Sequence, residues 1–246
     1  MRLDQYLVIH HHFTRNKAQQ LISSELIVLD KKICTKASQI VPENATISIT
    51  PDRRVNWVSR SAEKLAGFLE HFPIGIDGKK CLDIGSSTGG FTQVLLSYGA
   101  SRVDAVDVGT DQLHESIRSD SRVHSYEQTD IRDFAKKPNI TPYDIIVCDA
   151  SFISLYEIIN SILFFANTDT RIILLYKPQF EVGRDQLRKT GVPKDPKIVE
   201  QKMIEFETIL SLKNIQIVAK EKSTLIGEAG NQEWIYMIQK TISESS

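Results

Sequence analysis

The sequence predicts an α/β fold, in which a doubly wound and mostly parallel sheet follows a small N-terminal α+β domain. Beyond residue 79, short apolar strands alternate with helices, an order typical of a parallel sheet that is covered on both faces. Residues 1–50 instead place two short helices before a few short strands. A length of 246 residues and a hydrophobic content of 41% are enough for one large and one small domain with packed cores.

The N-terminal domain is assigned to residues 1–50. Apolar residues recur at helical spacing in 2–8 and 14–22, and Thr14 is placed to cap the second helix. A small sheet packed against these helices is predicted from the strands and turn at 26–29, 30–32 and 45–50.

This N-terminal pattern resembles the S4 RNA-binding domain, whose usual sequence begins R-L-D-x-x-L and continues S-R-x-x-A-x-x-L-I. Arg2-Leu-Asp4 and Thr14-Arg15 match it, whereas Glu25 replaces a glycine and Asp30-Lys31 replaces Asn-Gly. We therefore expect the hairpin turn to have a different shape. The resemblance implies that basic side chains of this domain face RNA phosphates, contacts that position the RNA without reading its sequence. The residues concerned are Arg2, Arg15, Lys17, Lys31, Lys32 and Lys36.

Charge is distributed unevenly along the chain. Residues 1–60 carry nine Lys and Arg against five Asp and Glu, although the whole chain has a net charge of −1. This asymmetry predicts that a partner with a phosphate backbone meets the N-terminal domain first. Ordinary solvated charges are the alternative.

Composition argues against a membrane protein or a metalloprotein. No apolar run approaches the roughly 20 residues that span a bilayer, and the start of the chain has no apolar signal region. Cys34, Cys81 and Cys148 lack C-x-x-C spacing, so we expect small core residues in a reducing compartment. His10–His12 are consecutive and cannot all face one metal from a helix. We expect a cytoplasmic protein without metal or membrane contact; the sequence specifies no oligomeric state.

Residues 51–60 are predicted to form an interdomain linker, in which Trp57 docks on one of the domains. The second domain is assigned to residues 61–246 and begins with an amphipathic helix at 62–70. Its strands are predicted at 80–84, 103–108, 123–127, 144–149 and 171–176, and its later helices near 91–98, 111–118, 154–166 and 196–212. A terminal hairpin of 215–219 and 234–239 completes a sheet similar to the Rossmann-like sheet of S-adenosylmethionine (SAM)-dependent methyltransferases.

The most informative segment is 79–91, KKCLDIGSSTGGF, where an apolar strand leads into a loop of Gly and Ser through which a nucleotide-like ligand can approach the backbone. The loop fits G-x-G-x-x-G poorly, and Asp83 would repel a pyrophosphate but attract the cationic groups of SAM. Asp107 lies 22 residues after Gly85, near the spacing at which an acid binds ribose hydroxyls. We therefore expect SAM as the cofactor, with a tight turn that binds no ligand as the alternative. The expected cofactor-binding residues are Asp83, Gly85, Ser87, Gly89, Gly90, Phe91, Asp107, Asp130 and Asp149.

Polar residues follow the predicted strands at the edge where open α/β sheets carry out chemistry. Lys64, Asp149, Lys177 and Glu233 resemble, in element and chain order, the Lys-Asp-Lys-Glu tetrad of FtsJ-type ribose 2′-O-methyltransferases. A ribose hydroxyl is a weak nucleophile, so a neutral amine must accept its proton. We predict that Lys177 is this base, that the charge of Lys64 favours its neutral form, and that the two acids orient the amines. An ordinary surface ion pair is the alternative for each residue singly.

Five motifs together resemble the TlyA family over nearly the whole chain. They are V-S-R-x-x-x-K-L (58–65), D-I-G-x-S-x-G-G-F-T (83–92), C-D-x-S-F-I-S-L (148–155), Y-K-P-Q-F-E (176–181) and G-N-x-E-W (230–234). The resemblance implies methylation of the 2′-hydroxyl of cytidine in ribosomal RNA, with ribosomal RNA or ribosomal subunits as the partner. Many members carry an older hemolysin label. Two alternatives are considered. One is a membrane-acting cytolysin, against which the lack of a spanning segment in this sequence counts. The other is a non-catalytic S4-type ribosome-binding factor.

The segment after the fifth strand is also expected to contact RNA. Residues 182–196 contain two glycines and two prolines among several basic residues. Phe152 and Phe180 could stack on an unpaired base, although core packing is the interpretation we favour for both. The basic residues expected to bind RNA here are Arg184, Arg188 and Lys189.

Overall fold

The N-terminal unit is a small three-stranded sheet packed against two helices. The computed structural model describes residues 1–11, 13, 15–49, 57–136, 141–227 and 229–241. The first elements are α1 (Leu3–His11), α2 (Arg15–Ser23), β1 (Ile27–Leu29), β2 (Lys32–Cys34) and β3 (Ile47–Ile49), with β1 antiparallel to both other strands. Leu3, Leu7 and Ile27 are fully buried in a core shared by helices and sheet. The predicted cap Thr14 and the linker segment 51–56 lie outside the described residues.

Helix α2 ends in a Schellman motif. The amide of Leu26 donates to the carbonyl of Leu21 at 3.0 Å, and the amide of Glu25 donates to the carbonyl of Ile22 at 3.1 Å. Glu25 takes the left-handed position of this motif, with a φ of +63°. Glycine is favoured at this position because a β-carbon is strained there.

The hairpin between β1 and β2 keeps the turn that an Asn-Gly pair forms. Leu29 pairs with Lys32, and the two loop residues have positive φ, 47° for Asp30 and 68° for Lys31. Positive φ at both loop positions is what a type I′ turn requires. The expectation of a differently shaped turn was therefore wrong, because Asp and Lys adopt the left-handed conformation despite its strain.

The second unit is a seven-stranded sheet with helices on both faces. Its strands are β4 (Lys80–Ile84), β5 (Arg102–Val106), β6 (Val123–Tyr126), β7 (Ile145–Cys148), β8 (Arg171–Tyr176), β9 (Ile215–Lys222) and β10 (Trp234–Lys240). Its helices are α3 (Arg60–His71), α4 (Gly90–Ser97), α5 (Glu115–Arg118), α6 (Ile131–Phe134), α7 (Leu155–Phe164), α8 (Pro178–Glu181) and α9 (Pro196–Leu212). The helix predicted at 111–118 is shorter than expected, because Asp111 has a φ of +53° and precedes the helix in an irregular segment.

The strand order is β6–β5–β4–β7–β8–β10–β9, which confirms the predicted α/β class and the hairpin at the sheet edge. Strands β4 to β8 are parallel, and β10 runs antiparallel to both of its neighbours. From β4 the sheet is extended on one side by β5 and β6, and the chain then crosses to the other side of β4 to form β7. The strand order therefore reverses at β4, and open α/β sheets bind ligands at the carboxyl end of the strands where this reversal occurs. Because β10 is inverted and Trp234 pairs with Tyr176, the residue before β10 and the residue after β8 reach this same edge.

Two buried clusters stabilise the sheet from opposite faces. One contains residues of α7 and α9, including Ile159 and Phe206, and the other contains residues of α3 and α4, including Leu65 and Val94. Trp57 packs against the second cluster, as expected of a docked side chain. The three cysteines are buried and free, in agreement with a packing role.

Replacing Glu25 by glycine is expected to stabilise the N-terminal unit by about 1 kcal/mol, because glycine relieves the left-handed strain at the end of α2. Amide hydrogen exchange of α2 measures the effect, since its amides should exchange more slowly in the variant. Glu25→Ala removes the same carboxylate but keeps a β-carbon, so it should give no gain. Equal gains in both variants would mean that the carboxylate, rather than the backbone, is responsible.

Candidate active site

The loops that follow β4 and β7 are in close contact. Gly85 has a φ of +75°, and a β-carbon added there would lie 2.9 Å from both Cα and N of Ala150. A side chain at this position would collide with backbone, which cannot move aside easily. Glycine at position 85 therefore keeps Asp149, the residue before Ala150, beside the glycine-rich loop.

Asp83 is a fully buried acid beneath the glycine-rich loop. Its Oδ2 accepts a hydrogen bond of 2.6 Å from Thr92 Oγ1, and its Oδ1 has no hydrogen-bond partner among the residues that the structure describes. Burial raises the pKa of Asp83 to about 7; the hydrogen bond from Thr92 opposes this rise, and the carboxylates of Asp149 and Asp107 add to it. Among the described residues, this carboxyl group therefore has no cationic partner.

A cavity of about 460 Å³ lies beside this loop at the carboxyl edge of the sheet. The predicted cofactor residues that line it are Gly85, Ser87, Asp107, Asp130 and Asp149. Asp107 accepts hydrogen bonds from the backbone amides of Ser87 and Gly109, at 2.8 and 2.7 Å, and so fixes the loops on either side of it. Asp130 caps α6 and is also bonded to the guanidinium of Arg132, at 2.9 and 2.6 Å.

Gly89 and Gly90, two of the predicted cofactor-binding glycines, pack against neighbouring helices and do not line either cavity. A β-carbon on Gly89, which has a φ of +92°, would lie 3.0 Å from the side chains of Leu113 and Ile117. A β-carbon on Gly90 would lie 2.1 Å from Ser59 Oγ, and the start of α3 could not then pack against α4. Phe91, the next residue, is buried and lines a second and larger cavity.

The larger cavity, of about 800 Å³, collects all four residues of the predicted tetrad. Lys64, Asp149, Lys177 and Glu233 line it, and their side chains are 11%, 14%, 9% and 4% exposed. Asp149 also lines the smaller cavity, as do Gly85, Ser87, Ser151, Phe152 and Ile153, so the two cavities share a wall to which Asp149 belongs. Such low exposure separates these residues from the surface ion pairs considered as the alternative.

The tetrad forms two ion pairs. Lys177 Nζ lies 2.7 Å from Asp149 Oδ1 and also donates hydrogen bonds to Ser151 Oγ at 2.7 Å and to the carbonyl of Asp149 at 3.2 Å. Lys64 Nζ lies 2.5 Å from Glu233 Oε2. Burial raises the pKa of Asp149, and the ammonium group of Lys177 opposes that rise. Each acid therefore orients one amine, Asp149 that of Lys177 and Glu233 that of Lys64.

Three further polar residues near the tetrad belong to the quoted motifs, but sequence reasoning assigned them no role. Ser151 bonds to Lys177, and Gln179 Nε2 donates to Glu233 Oε1 at 3.3 Å. Buried Glu181 accepts hydrogen bonds from Ser154 Oγ at 2.5 Å and from the amide of Leu155 at 2.9 Å, and so ties α8 to the start of α7. These residues lie only two to four positions after Asp149 or Lys177, and this spacing could have indicated that they are close to the tetrad.

Phe152 is exposed, which corrects the interpretation that it packs in the core. Its side chain is 91% exposed, its φ is +64°, and its ring lies 5.4 Å from the ring of Phe180. The left-handed backbone directs the chain after Asp149 away from the apolar interior. Phe180 is half-buried, and both rings line the larger cavity.

The predicted RNA-binding residues that the structure describes are on the surface. Arg15, Lys31, Lys32, Lys36, Arg184, Arg188 and Lys189 are exposed, and Arg184 lines the larger cavity. Arg2 is also exposed, but its guanidinium is paired with buried Asp4 at 2.9 and 3.0 Å, which gives it a structural contact. The side chain of Lys17 lies outside the description.

The described part of the chain contains neither a candidate metal site nor a candidate membrane-spanning helix. No group of three His, Cys, Asp or Glu side chains there is placed to bind a metal ion. No helix within the same residues combines the length and the apolar character that crossing a membrane requires.

Comparisons with known proteins identify the family. The S4 domain model matches residues 1–47, and the FtsJ-like methyltransferase model matches residues 57–240. The chain is 38% identical over 256 residues to the 23S rRNA (cytidine-2'-O)-methyltransferase TlyA of Campylobacter jejuni subsp. jejuni serotype O:23/36 (strain 81-176), covering 96% of this chain and 98% of that protein. The chain belongs to the TlyA family. It is also 36% identical over 226 residues to the 16S/23S rRNA (cytidine-2'-O)-methyltransferase TlyA of Mycobacterium tuberculosis (strain ATCC 25618 / H37Rv), with 92% and 84% covered.

A solved structure agrees with membership of the TlyA family. A crystal structure from Lactococcus lactis, which carries a provisional hemolysin label, superposes with a TM-score of 0.71 at 37% identity and covers 76% of this chain and 90% of that chain. The hemolysin label and the methyltransferase name thus occur among relatives of one fold. The second domain of this TlyA-family chain is an FtsJ-like methyltransferase domain, as predicted from its motifs.

Replacing Asp83 by asparagine is expected to stabilise the cofactor-free protein, and more so at high pH. Because the pKa of Asp83 is raised to about 7, the folded state keeps a proton that the unfolded state releases near pH 4, and wild-type stability falls as pH rises between these values. Asparagine stays neutral, so its advantage in free energy of unfolding should grow by about 2 kcal/mol from pH 5 to pH 8. Urea unfolding followed by tryptophan fluorescence measures it.

The control for this prediction is Asp169→Asn, which neutralises an exposed acid. The difference in free energy of unfolding between Asp169→Asn and wild type should not grow from pH 5 to pH 8 as it does for Asp83→Asn. A pH-independent difference for Asp83→Asn as well would show that the buried carboxyl group is not the source.

Proposed function

We propose that the protein transfers a methyl group from SAM to the 2′-hydroxyl of a cytidine in ribosomal RNA. The observation that carries this proposal is the position of Asp149, which lines both cavities and pairs with Lys177 at 2.7 Å. A donor in the smaller cavity and an acceptor in the larger one would meet at this pair. The named activities of the Campylobacter and Mycobacterium relatives, both rRNA (cytidine-2'-O)-methyltransferases, support the choice of acceptor.

The residues around the smaller cavity fit SAM. When bound, SAM supplies a methyl group on a positively charged sulfur. Asp83 lies buried beneath the loop rather than on the cavity wall, and among the described residues its Oδ1 has no hydrogen-bond partner. Its carboxyl group, with Asp149 as a second acid near it, favours a cationic ligand and disfavours a pyrophosphate. Asp107 would bind the ribose hydroxyls, because each of its oxygens has a second lone pair beyond the one used by the backbone amides. Gly85, Ser87 and Asp130 would complete the wall.

Lys177 is the proposed general base. Its nitrogen is held by Asp149 and Ser151, which limits its motion and keeps it at the junction of the two cavities. In its neutral form, Lys177 would accept the proton of a ribose hydroxyl bound in the larger cavity. Glu233 holds Lys64, whose positive charge faces the same cavity. Fixed alignment of the acceptor with the donor can supply about 7–11 kcal/mol of the barrier reduction.

The proposed acceptor explains the remaining surface features. Exposed Lys31, Lys32 and Lys36 of the S4 domain, with Arg184 beside the larger cavity, offer positive charge to a phosphate backbone. Exposed Phe152 offers a flat apolar face on which an unpaired base can stack. Ribosomal RNA or a ribosomal subunit is therefore the proposed partner, which in turn implies a cytoplasmic location.

A methyl-transfer assay tests this function directly. Purified protein, labelled SAM and ribosomal subunits from a strain that lacks the gene should yield 2′-O-methylcytidine at a discrete position. Nucleoside analysis and mapping of the modified position measure the product and identify the nucleotide and the subunit. Absence of transfer to either subunit and to free ribosomal RNA would refute the proposal, and a liposome-leakage assay on the same sample tests the cytolysin alternative.

Lys177→Arg should bind SAM and RNA but lose methyl transfer by about 10²- to 10⁴-fold, because arginine keeps the charge but does not deprotonate near neutral pH. Single-turnover rates measure the loss, and calorimetry checks SAM affinity. Lys213→Arg, at an exposed position, is the matched control. Transfer by Lys177→Arg within a few-fold of wild type would make Lys177 a positioning residue.

Lys31→Glu combined with Lys32→Glu should weaken RNA binding and reduce the slope of log affinity against log salt by about one to two units, since each lost phosphate contact removes nearly one unit. SAM affinity should not change, because both residues belong to the S4 domain. Lys136→Glu with Lys213→Glu makes the same charge change in the second domain and should leave the slope nearly intact. An unchanged slope in the first double variant would show that this hairpin does not contact phosphates.

A further inference from the structure

Gln179 lines the larger cavity and has a buried hydrogen-bond acceptor that no described residue uses. The residue belongs to α8, two positions after Lys177, and it lines the same cavity as the tetrad. Its carboxamide oxygen Oε1 is buried and has no hydrogen-bond partner among the described residues. A buried acceptor without a partner is costly, so a ligand that supplies a donor would be stabilised there.

The orientation of this carboxamide follows from its neighbour. Gln179 Nε2 donates to Glu233 Oε1 at 3.3 Å, while the other oxygen of Glu233 pairs with Lys64. A carboxylate paired with an ammonium group only accepts hydrogen bonds, so the NH₂ group of Gln179 must face Glu233. Rotating the amide by 180° would place two acceptors against each other. The oxygen of Gln179 is therefore the atom left for a ligand.

Asn231 is the second residue on this cavity wall with an unpartnered amide oxygen, but its position differs. Its Nδ2 donates to the carbonyl of Gly191 at 3.2 Å, a contact that ties the loop before α9 to the loop before β10. Asn231 also lines a separate groove of about 520 Å³ on the far side of Trp234. Gln179 lines the active-site cavity but neither the smaller cavity nor this groove, and is therefore the better candidate for contact with the acceptor.

We propose that Gln179 is a specificity-determining residue whose Oε1 accepts a hydrogen bond from the exocyclic amino group of the acceptor cytidine. The inference rests on the proposed function and adds the group that selects the base. Cytosine presents an N4 amino donor at the position where uracil presents the O4 acceptor. Uracil would therefore leave Oε1 of Gln179 unpaired and facing a second acceptor. A site that pairs with a polar group of its substrate rejects an analogue that lacks this group.

The test compares methyl transfer to ribosomal subunits that carry cytidine, uridine or pyrimidin-2-one ribonucleoside, which lacks the amino group, at the modified position. Wild-type protein should prefer cytidine by about 10- to 100-fold in kcat/KM over both analogues, the range expected for one buried unpaired polar group. Gln179→Met, which keeps the length of the side chain but has no amide, should reduce this ratio to near one. Gln201→Met, at an exposed position of α9, should leave the ratio unchanged.

The outcomes separate selection of the base from a structural role. If Gln179 only positioned Glu233, Gln179→Met would slow transfer to cytidine and uridine equally, and an unchanged ratio would overturn the assignment. Collapse of the ratio in Asn231→Met but not in Gln179→Met would overturn it as well. The wild-type comparison of cytidine with pyrimidin-2-one needs no variant, so the assignment also fails if the two react equally. If wild-type protein methylated none of the three substrates, the result would instead contradict the proposed function itself.

Discussion

The ion pair between Asp149 and Lys177 is the interaction on which the rest of the site depends. It joins the carboxyl ends of β7 and β8, and Asp149 is kept there by the contact of Gly85 with Ala150. Removing one member of such a buried pair leaves an uncompensated charge, at a typical cost of 3–5 kcal/mol. Asp149 lines both cavities, so the contact that orients the amine of Lys177 lies beside the wall that the two cavities share.

Asp83 shows how a buried carboxyl group can reduce the stability of the fold that carries it. A fully buried carboxyl group with one unpartnered oxygen is unfavourable in the cofactor-free protein, and its raised pKa reflects that cost. A cationic ligand would offset the cost by supplying the missing charge. Residues selected for such a role commonly lower stability without the ligand, which explains why a neutral replacement can stabilise a protein and impair its function.

The sequence predicted the sheet and the tetrad because both depend on patterns that survive tertiary packing. Apolar strands with polar residues at their ends identified β4 to β8. The tetrad of Lys64, Asp149, Lys177 and Glu233 was predicted from their elements and chain order together with a resemblance to the FtsJ-type tetrad. Local conformation was harder to predict. The exposure of Phe152 depends on a left-handed backbone, and the positions of Gly89 and Gly90 depend on neighbours distant in sequence, Ile117 and Ser59. Composition cannot distinguish a glycine that faces a ligand from one that faces a helix.

The inverted direction of β10 has a consequence for the synthesis of the protein. Glu233 reaches the active site because it precedes an antiparallel strand, and its partner Lys64 lies 169 positions earlier in the chain. A nascent chain that ends before β10 therefore has no acid for Lys64 and no cover for the outer edge of β8. Pairs so distant in sequence form late, after the loop between them has been closed. Synthesis of β10 is thus required before Lys64 and Glu233 can pair, and chains that stop short of this strand lack the complete candidate site.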